Sequence, residues 1–314
     1  MDLGALRREL KDFLDFKVST DLVEFEIIER QEEGSYQRQL VRYLGSEQDE
    51  IRAYLFVPKE KPIIGAVLVH HQHNGERHLG KSEVAGLAGD PHQFFCPALA
   101  AEGIITLAPD SICFEDRRTN QQGIEPASDP DDDWLQHYNE MCYRLLDGKT
   151  LMKKVIDDSS IGISILSQQE DFPKENIGIL GHSYGGNTVI FHSPFDERIR
   201  LSCSSGAVCS YKTKFRYQTG IEMAEVIPGF KEKYDIEDLL KAICPRKLLI
   251  VSAEEDKYSR DAKGTYTSIK KTYKEAGVED ALMLNHFEGG HALDKTRFES
   301  IVEWFVSEFK KVIL

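Results

Sequence analysis

A serine hydroxyl becomes a useful nucleophile at neutral pH only with a general base beside it and a third group that fixes the tautomer of that base. One serine in this chain sits in a setting suited to that chemistry. Gly181-His182-Ser183-Tyr184-Gly185-Gly186 follows the apolar run Ile177-Gly178-Ile179-Leu180 and precedes Asn187-Thr188-Val189-Ile190-Phe191, so the stretch reads as strand, tight turn, helix. In that context a G-x-S-x-G pattern is a nucleophile elbow. Gly181 and Gly185 let strand and helix approach closely while Ser183 takes a strained backbone conformation. Its hydroxyl then stands at the start of a helix, where free N–H groups favour developing negative charge.

The two partners must come from elsewhere in the chain. Functional groups in an open α/β sheet gather at the carboxyl ends of the strands. The run Lys247-Leu248-Leu249-Ile250-Val251 leads into Ser252-Ala253-Glu254-Glu255-Asp256, which offers three acids, and the strand-like segment 281–287 leads into Glu288-Gly289-Gly290-His291, which offers the base. Three further histidines, His70, His71 and His73, lie close together. His71 and His73 share a face of an extended segment, and zinc accepts imidazole nitrogen. No carboxylate or cysteine at a zinc-motif spacing completes a set, so no metal is expected. The acidic stretch 125–133 lacks the D-x-D-x-D-G spacing of a calcium loop and reads as a solvated loop start.

Positioning such groups takes a sheet, and the pattern supplies one. A leading amphipathic helix over about 1–20 carries Leu6, Leu10, Phe13 and Leu14 at helical spacing. Strands follow over 23–28, 37–43 and 50–57, where Ile51, Ala53, Leu55 and Val57 alternate with other residues as in an antiparallel strand with one wetter face. The near-continuous apolar run 63–70 reads as a strand covered on both sides. From there strands (103–107, 199–204, 247–252, 281–287) alternate with helices (91–102, 150–168, 260–276). The closing helix carries Phe298, Ile301, Val302, Phe305, Phe309 and Val312 on one stripe. This order implies an α/β fold: a mostly parallel central sheet with antiparallel N-terminal strands and helices on both faces. Two irregular insertions, about 112–148 and 207–243, read as lids, and residues 1–314 read as a single domain.

Composition narrows the partners. A net charge of -14 argues against nucleic acid or an anionic membrane surface, both of which demand a basic face. The first residues lack the apolar core of a signal peptide, and no run reaches the length of a membrane span. Six scattered cysteines without a C-x-x-C pair read as reduced, buried thiols, which favours the cytoplasm.

With Gly181–Gly186, the segment from Pro245 to Asp256 and Gly289-Gly290-His291 in that order, the chain from about residue 50 onward resembles an α/β-hydrolase of the dienelactone-hydrolase-like and acetyl-xylan-esterase-like branch. The resemblance implies the α/β-hydrolase fold. It also selects Asp256 as the acid, since the family's acid lies three residues past the small residue that closes its strand, here Ala253. Dienelactone hydrolases use cysteine where this chain has Ser183, which speaks against that particular activity. An oxyanion is held by backbone N–H groups, one from the residue after the nucleophile, Tyr184. The other is implied by matching His71-Gln72 to the family's His-Gly pair, which selects His73. The candidate substrate-binding residues are His71, Gln72, Arg117, Arg118, Trp134 and Tyr211. Either arginine could grip a substrate carboxylate or instead pair with a surface acid.

The expected function is hydrolysis of a carboxylic ester of a small or medium-sized molecule by Ser183, His291 and Asp256, with no cofactor. Thioesterase, amidase, peptidase or acyltransferase activity would use the same residues, and a non-catalytic binding scaffold is the reading from another class. A small ester-type substrate is the expected partner, with no nucleic acid and no membrane; a homodimer is compatible with the sequence.

Overall fold

The apolar runs become the middle of one sheet. β4 (Gly65–His70), β5 (Ile104–Pro109) and β6 (Ile177–His182) are buried at every residue, as strands covered on both faces must be. The computed structural model describes all residues except Met1, Asp171 and Leu314, and leaves out the side chains of Pro130, Val312 and Ile313. β7 (Ile199–Ser205), β8 (Lys247–Ala253) and β9 (Leu282–Phe287) extend the parallel part, while β1 (Phe25–Glu33), β2 (Tyr36–Leu44) and β3 (Glu50–Pro58) form an antiparallel meander that joins β5. The strand order is β1-β2-β3-β5-β4-β6-β7-β8-β9. β1 runs five residues beyond its expected end, to Glu33, because Gly34, at a φ of 57°, turns the chain straight back into β2. That end of the hairpin is largely exposed, so no apolar alternation marks it in the sequence.

The helices among the described residues are α1 (Leu3–Phe13), α2 (Lys81–Val84), α3 (Phe95–Ala101), α4 (Pro130–Leu146), α5 (Leu151–Gln168), α6 (Tyr184–His192), α7 (Tyr211–Tyr217), α8 (Phe230–Lys233), α9 (Ile236–Ile243), α10 (Ala262–Glu275) and α11 (Lys295–Ile313). Successive residues of a strand face opposite ways, and the core divides accordingly. Val67 and Val69 of β4 pack with Phe95 and Leu99 of α3 and Phe305 and Phe309 of α11. Ala66 and Leu68 pack with Ile163 and Leu166 of α5 and Val189 of α6. The stripe expected on the closing helix is therefore core-facing, with Ile301, Phe305 and Phe309 fully buried; Val312 lies outside the described side chains. Helix α1 is shorter than expected. Asp2 caps it by accepting from Ala5 N at 3.0 Å, and after Leu14 the chain turns at Asp15, whose φ is 49°. It docks on α9, where Arg7 Nε donates to Ala242 O at 2.6 Å.

The insertions contain more helix than their polarity suggested. The acidic stretch becomes the start of the 17-residue α4: Asp129 accepts from Asp131 N at 3.0 Å, and Asp131, Asp132 and Asp133 fill the first turn, where the helix dipole favours them. Trp134, Leu135, Tyr138, Tyr143 and Leu146 of α4 remain exposed, so the helix has little of the apolar stripe that sequence periodicity detects. Among the described residues, no helix is long and apolar enough to cross a membrane.

One buried charge cluster ties the first insertion to the sheet. Lys81 Nζ lies 2.8 Å from Asp110 Oδ2, 2.5 Å from Glu115 Oε1 and 2.8 Å from Asp116 Oδ2. The three carboxylates come close enough to hold a metal ion, but the lysine ammonium already sits among them. Asp110, which reads in sequence as a turn-former, is instead a fully buried ion-pair partner that also accepts from Lys81 N at 2.7 Å. Lys81→Met would strand these carboxylates and is expected to destabilise the fold by about 3–5 kcal/mol. Urea unfolding of the two proteins checks this; equal midpoints would contradict it.

Candidate active site

The elbow is as tight as its glycines imply. Ser183 has φ 54° and ψ -117°, a region that non-glycine residues rarely occupy. A Cβ on Gly181 would lie 2.2 Å from the Gly185 carbonyl, and one on Gly185 would lie 2.4 Å from His70 O. Only glycine permits either approach. The second of these contacts brings the start of α6 against the loop that leaves β4. Ser183 N donates to Ser205 O at 2.8 Å, which fixes the turn over the end of β7.

The loops after β8 and β9 deliver the acid and the base. Asp256 is buried and ends a turn in which its carboxylate accepts from Tyr258 N at 2.9 Å and from Ser259 Oγ at 2.7 Å. His291 Nδ1 donates to Asp256 Oδ1 at 3.0 Å. Because a carboxylate only accepts, Nδ1 carries the proton and Nε2 is left as the acceptor for the Ser183 hydroxyl, 2.8 Å away. Burial alone would raise the Asp256 carboxyl, but the bonds from His291, Ser259 and Tyr258 N outweigh it and hold the group below its ordinary value. Glu254 and Glu255, the neighbouring acids, point outward and are exposed. Their backbone serves instead: Glu254 N donates to Phe287 O and Glu255 N to Gly289 O, each at 3.0 Å, lacing the acid loop to the base loop. Arg297, which nothing in the sequence singled out, is buried and braces the base loop by donating to Gly290 O at 2.9 Å and to Ala292 O.

His182 packs beside this set. Its ring centroid is 4.9 Å from that of His291, Ser205 Oγ lies 2.9 Å from Nδ1, and burial pulls its pKa down to about 3, so it stays neutral. The backbone N–H groups of Tyr184 and His73 meet no acceptor among the described residues.

The hydroxyl of Ser183 opens on a cleft of about 570 Å³. His73, expected as an oxyanion donor, lines it; of the residues expected to bind substrate, Trp134 does so too, stacked on Tyr138 with ring centroids 4.9 Å apart. The others do not. His71 is buried against Phe114, its Nδ1 donates to Gln72 O at 2.8 Å and its Nε2 accepts from Ser111 N at 3.1 Å. Burial lowers the His71 pKa to about 4. Gln72 is buried and donates to Glu83 at 2.8 Å. Arg117 is consumed by Asp158 at 2.9 Å, by Asp49 and by Asp110 O, and Arg118 by both Asp133 oxygens and the carbonyls of Gly123 and Glu125. Tyr211 donates to Glu225 O at 2.6 Å from within the core. Each of these side chains is engaged inside the protein, and none lines the cleft.

Other residues take their place. Glu222 lines the cleft from the second insertion and accepts from His73 Nδ1 at 3.1 Å and from Met223 N at 2.9 Å. Burial would raise its carboxyl, but the His73 ring beside it holds it down to about 2. Lys214 and Glu225 form a buried pair with Nζ 2.6 and 2.5 Å from the two oxygens. Arg77 lines the cleft from the loop after β4. The Glu222…Glu225 spacing forms a reciprocal cap, with Glu222 N donating back to Glu225, and was the one sequence signal that could have located this segment.

No family model matches the chain. It is 26% identical over 277 residues to the "Putative hydrolase YtaP" of Bacillus subtilis (strain 168), an alignment covering 84% of this chain and 85% of that protein. Among solved structures, it is similar to a "putative acetyl xylan esterase" from Bacteroides fragilis NCTC 9343, with a TM-score of 0.71 at 16% identity over 90% of this chain and 74% of the other. It is also similar to a glucuronoyl esterase from Solibacter usitatus, with a TM-score of 0.67 at 15% identity over 96% and 92%. With the sheet order above, these likenesses give the chain the α/β-hydrolase fold.

If Asp256 holds the His291 tautomer, Asp256→Asn leaves the fold intact and lowers kcat about 10⁴-fold. Initial rates on an activated ester, with circular dichroism to monitor folding, check this; a loss under tenfold would contradict it.

Proposed function

We propose that the chain is a serine hydrolase that cleaves a carboxylic ester of a small or medium-sized molecule through an acyl-enzyme. Ser183 Oγ attacks the ester carbonyl as His291 Nε2 takes its proton, and the Tyr184 and His73 N–H groups receive the negative charge that develops on the carbonyl oxygen. His291 returns the proton to the departing alkoxide. It then draws a proton from the water that attacks the acyl group, and Ser183 is regenerated. Asp256 keeps the imidazole oriented and stabilises its charged form throughout.

The observation that carries this reading is the unbroken hydrogen-bonded chain Ser183–His291–Asp256, at 2.8 and 3.0 Å, with its hydroxyl on the strained turn. A cleft of about 570 Å³ suits a small or medium-sized ligand. The names of the structural neighbours, acetyl xylan esterase and glucuronoyl esterase, favour a carboxylic ester over a thioester or amide. All six cysteines are unpaired, which supports a reducing compartment such as the cytoplasm.

A fluorophosphonate probe is expected to label the protein at one residue and to lose that labelling completely in Ser183→Ala. Persistent labelling of the variant would overturn the assignment.

A further inference from the structure

The buried charges that face the cleft are satisfied within the protein, with one exception. Lys214 and Glu225 neutralise each other, and both Glu222 oxygens are taken by His73 and Met223 N. Asp131 is exposed at the start of α4. Arg77 is different: it is 3% exposed, it lines the cleft, and it forms no salt bridge among the described residues. Its Nε donates to His137 Nδ1 at 3.0 Å, and this is its one side-chain hydrogen bond among the described residues, which leaves the two terminal nitrogens open toward the cleft.

The neighbour of Arg77 sharpens this. An arginine Nε only donates, so His137 Nδ1 is an acceptor and its proton sits on Nε2. That Nε2–H is buried and has no partner either. A buried guanidinium with no carboxylate in contact is unfavourable in isolation and is the recurring receptor for a planar carboxylate, which it meets with two parallel N–H bonds.

We propose that Arg77 anchors a carboxylate carried by the substrate, so that the preferred esters are anionic: monoesters of dicarboxylic acids, or acyl esters of hydroxy acids. This rests on the ester-hydrolase reading above and names its substrate class. The grip once expected of Arg117 or Arg118 falls instead to an arginine whose acceptors are missing from the chain itself. The loop that carries it also supplies the His73 N–H, so anchoring the carboxylate positions the substrate relative to the oxyanion donors.

Two substrate pairs place the anion on either side of the ester: p-nitrophenyl hemiglutarate against p-nitrophenyl valerate, and 4-acetoxybenzoate against 4-acetoxybenzamide. In at least one pair the native protein is expected to favour the anionic member in kcat/KM by roughly 10- to 100-fold. That ratio should fall close to unity in Arg77→Gln and at least several-fold in Arg77→Lys, which keeps the charge but loses the fork. The absence of an anionic preference in both pairs, or a preference unchanged in the folded variants, overturns the proposal. Should Arg77→Gln fail to fold, Arg77→Lys supplies the comparison. Calorimetric titration of Ser183→Ala with glutarate and with glutaramide separates this from failure of the hydrolase reading, because it requires no turnover. Tighter binding of glutarate, lost with Arg77→Gln, supports the anchor even if no ester is cleaved; equal binding of the two overturns it.

Discussion

The arrangement depends on how closely α6 is pressed against the ends of β4 and β6. Gly181 and Gly185 leave no room for a methyl group between them, and the backbone of Ser183 accepts a conformation that costs about 1–3 kcal/mol to hold that contact. The rest of the fold supplies that cost through strands buried on both faces and two thick apolar layers. From this contact follow the outward hydroxyl, the free Tyr184 N–H at the first turn of the helix, and the nearness of the His73 loop. A looser turn would lose all three together.

What could be read in the sequence follows from how local each signal is. The nine strands, the elbow and the Ser183, Asp256 and His291 set depend on short runs whose pattern is nearly independent of the rest of the chain, and the structure brings those three side chains into one hydrogen-bonded line. The cleft was less legible. Arg117, Arg118 and Tyr211 are the residue types that bind substrates, yet their partners Asp158, Asp133 and Glu225 lie 41, 15 and 14 positions away, and no spacing rule reveals such pairings. Conversely, Arg77 gave no signal, because what distinguishes it is the absence of a partner. Helix α4 went unread for a related reason: most of its large apolar residues face outward, and Met141 with its neighbours Cys142 and Leu145 makes a short core contact instead of a stripe.

The two insertions differ in how they are held. The first is tied by ion pairs, Glu115 with Lys81 and Arg117 with Asp49 and Asp158. The second is tied by Glu222 to His73 and by the packing of Phe230 with Phe13, Phe191 and Tyr211.

The lacing of the loops after β8 and β9 leads to something else. Glu254 and Glu255 are joined to the opposite loop through main-chain nitrogen alone, and their carboxylates face the solvent. Amide groups are common to every residue but proline, so the alignment of acid and base is insulated from what is written at these two positions. Evolution, or a protein engineer, can recolour that rim with other side chains, even reversing its charge, while the hydrogen-bonded line of Ser183, His291 and Asp256 beneath it stays in tune.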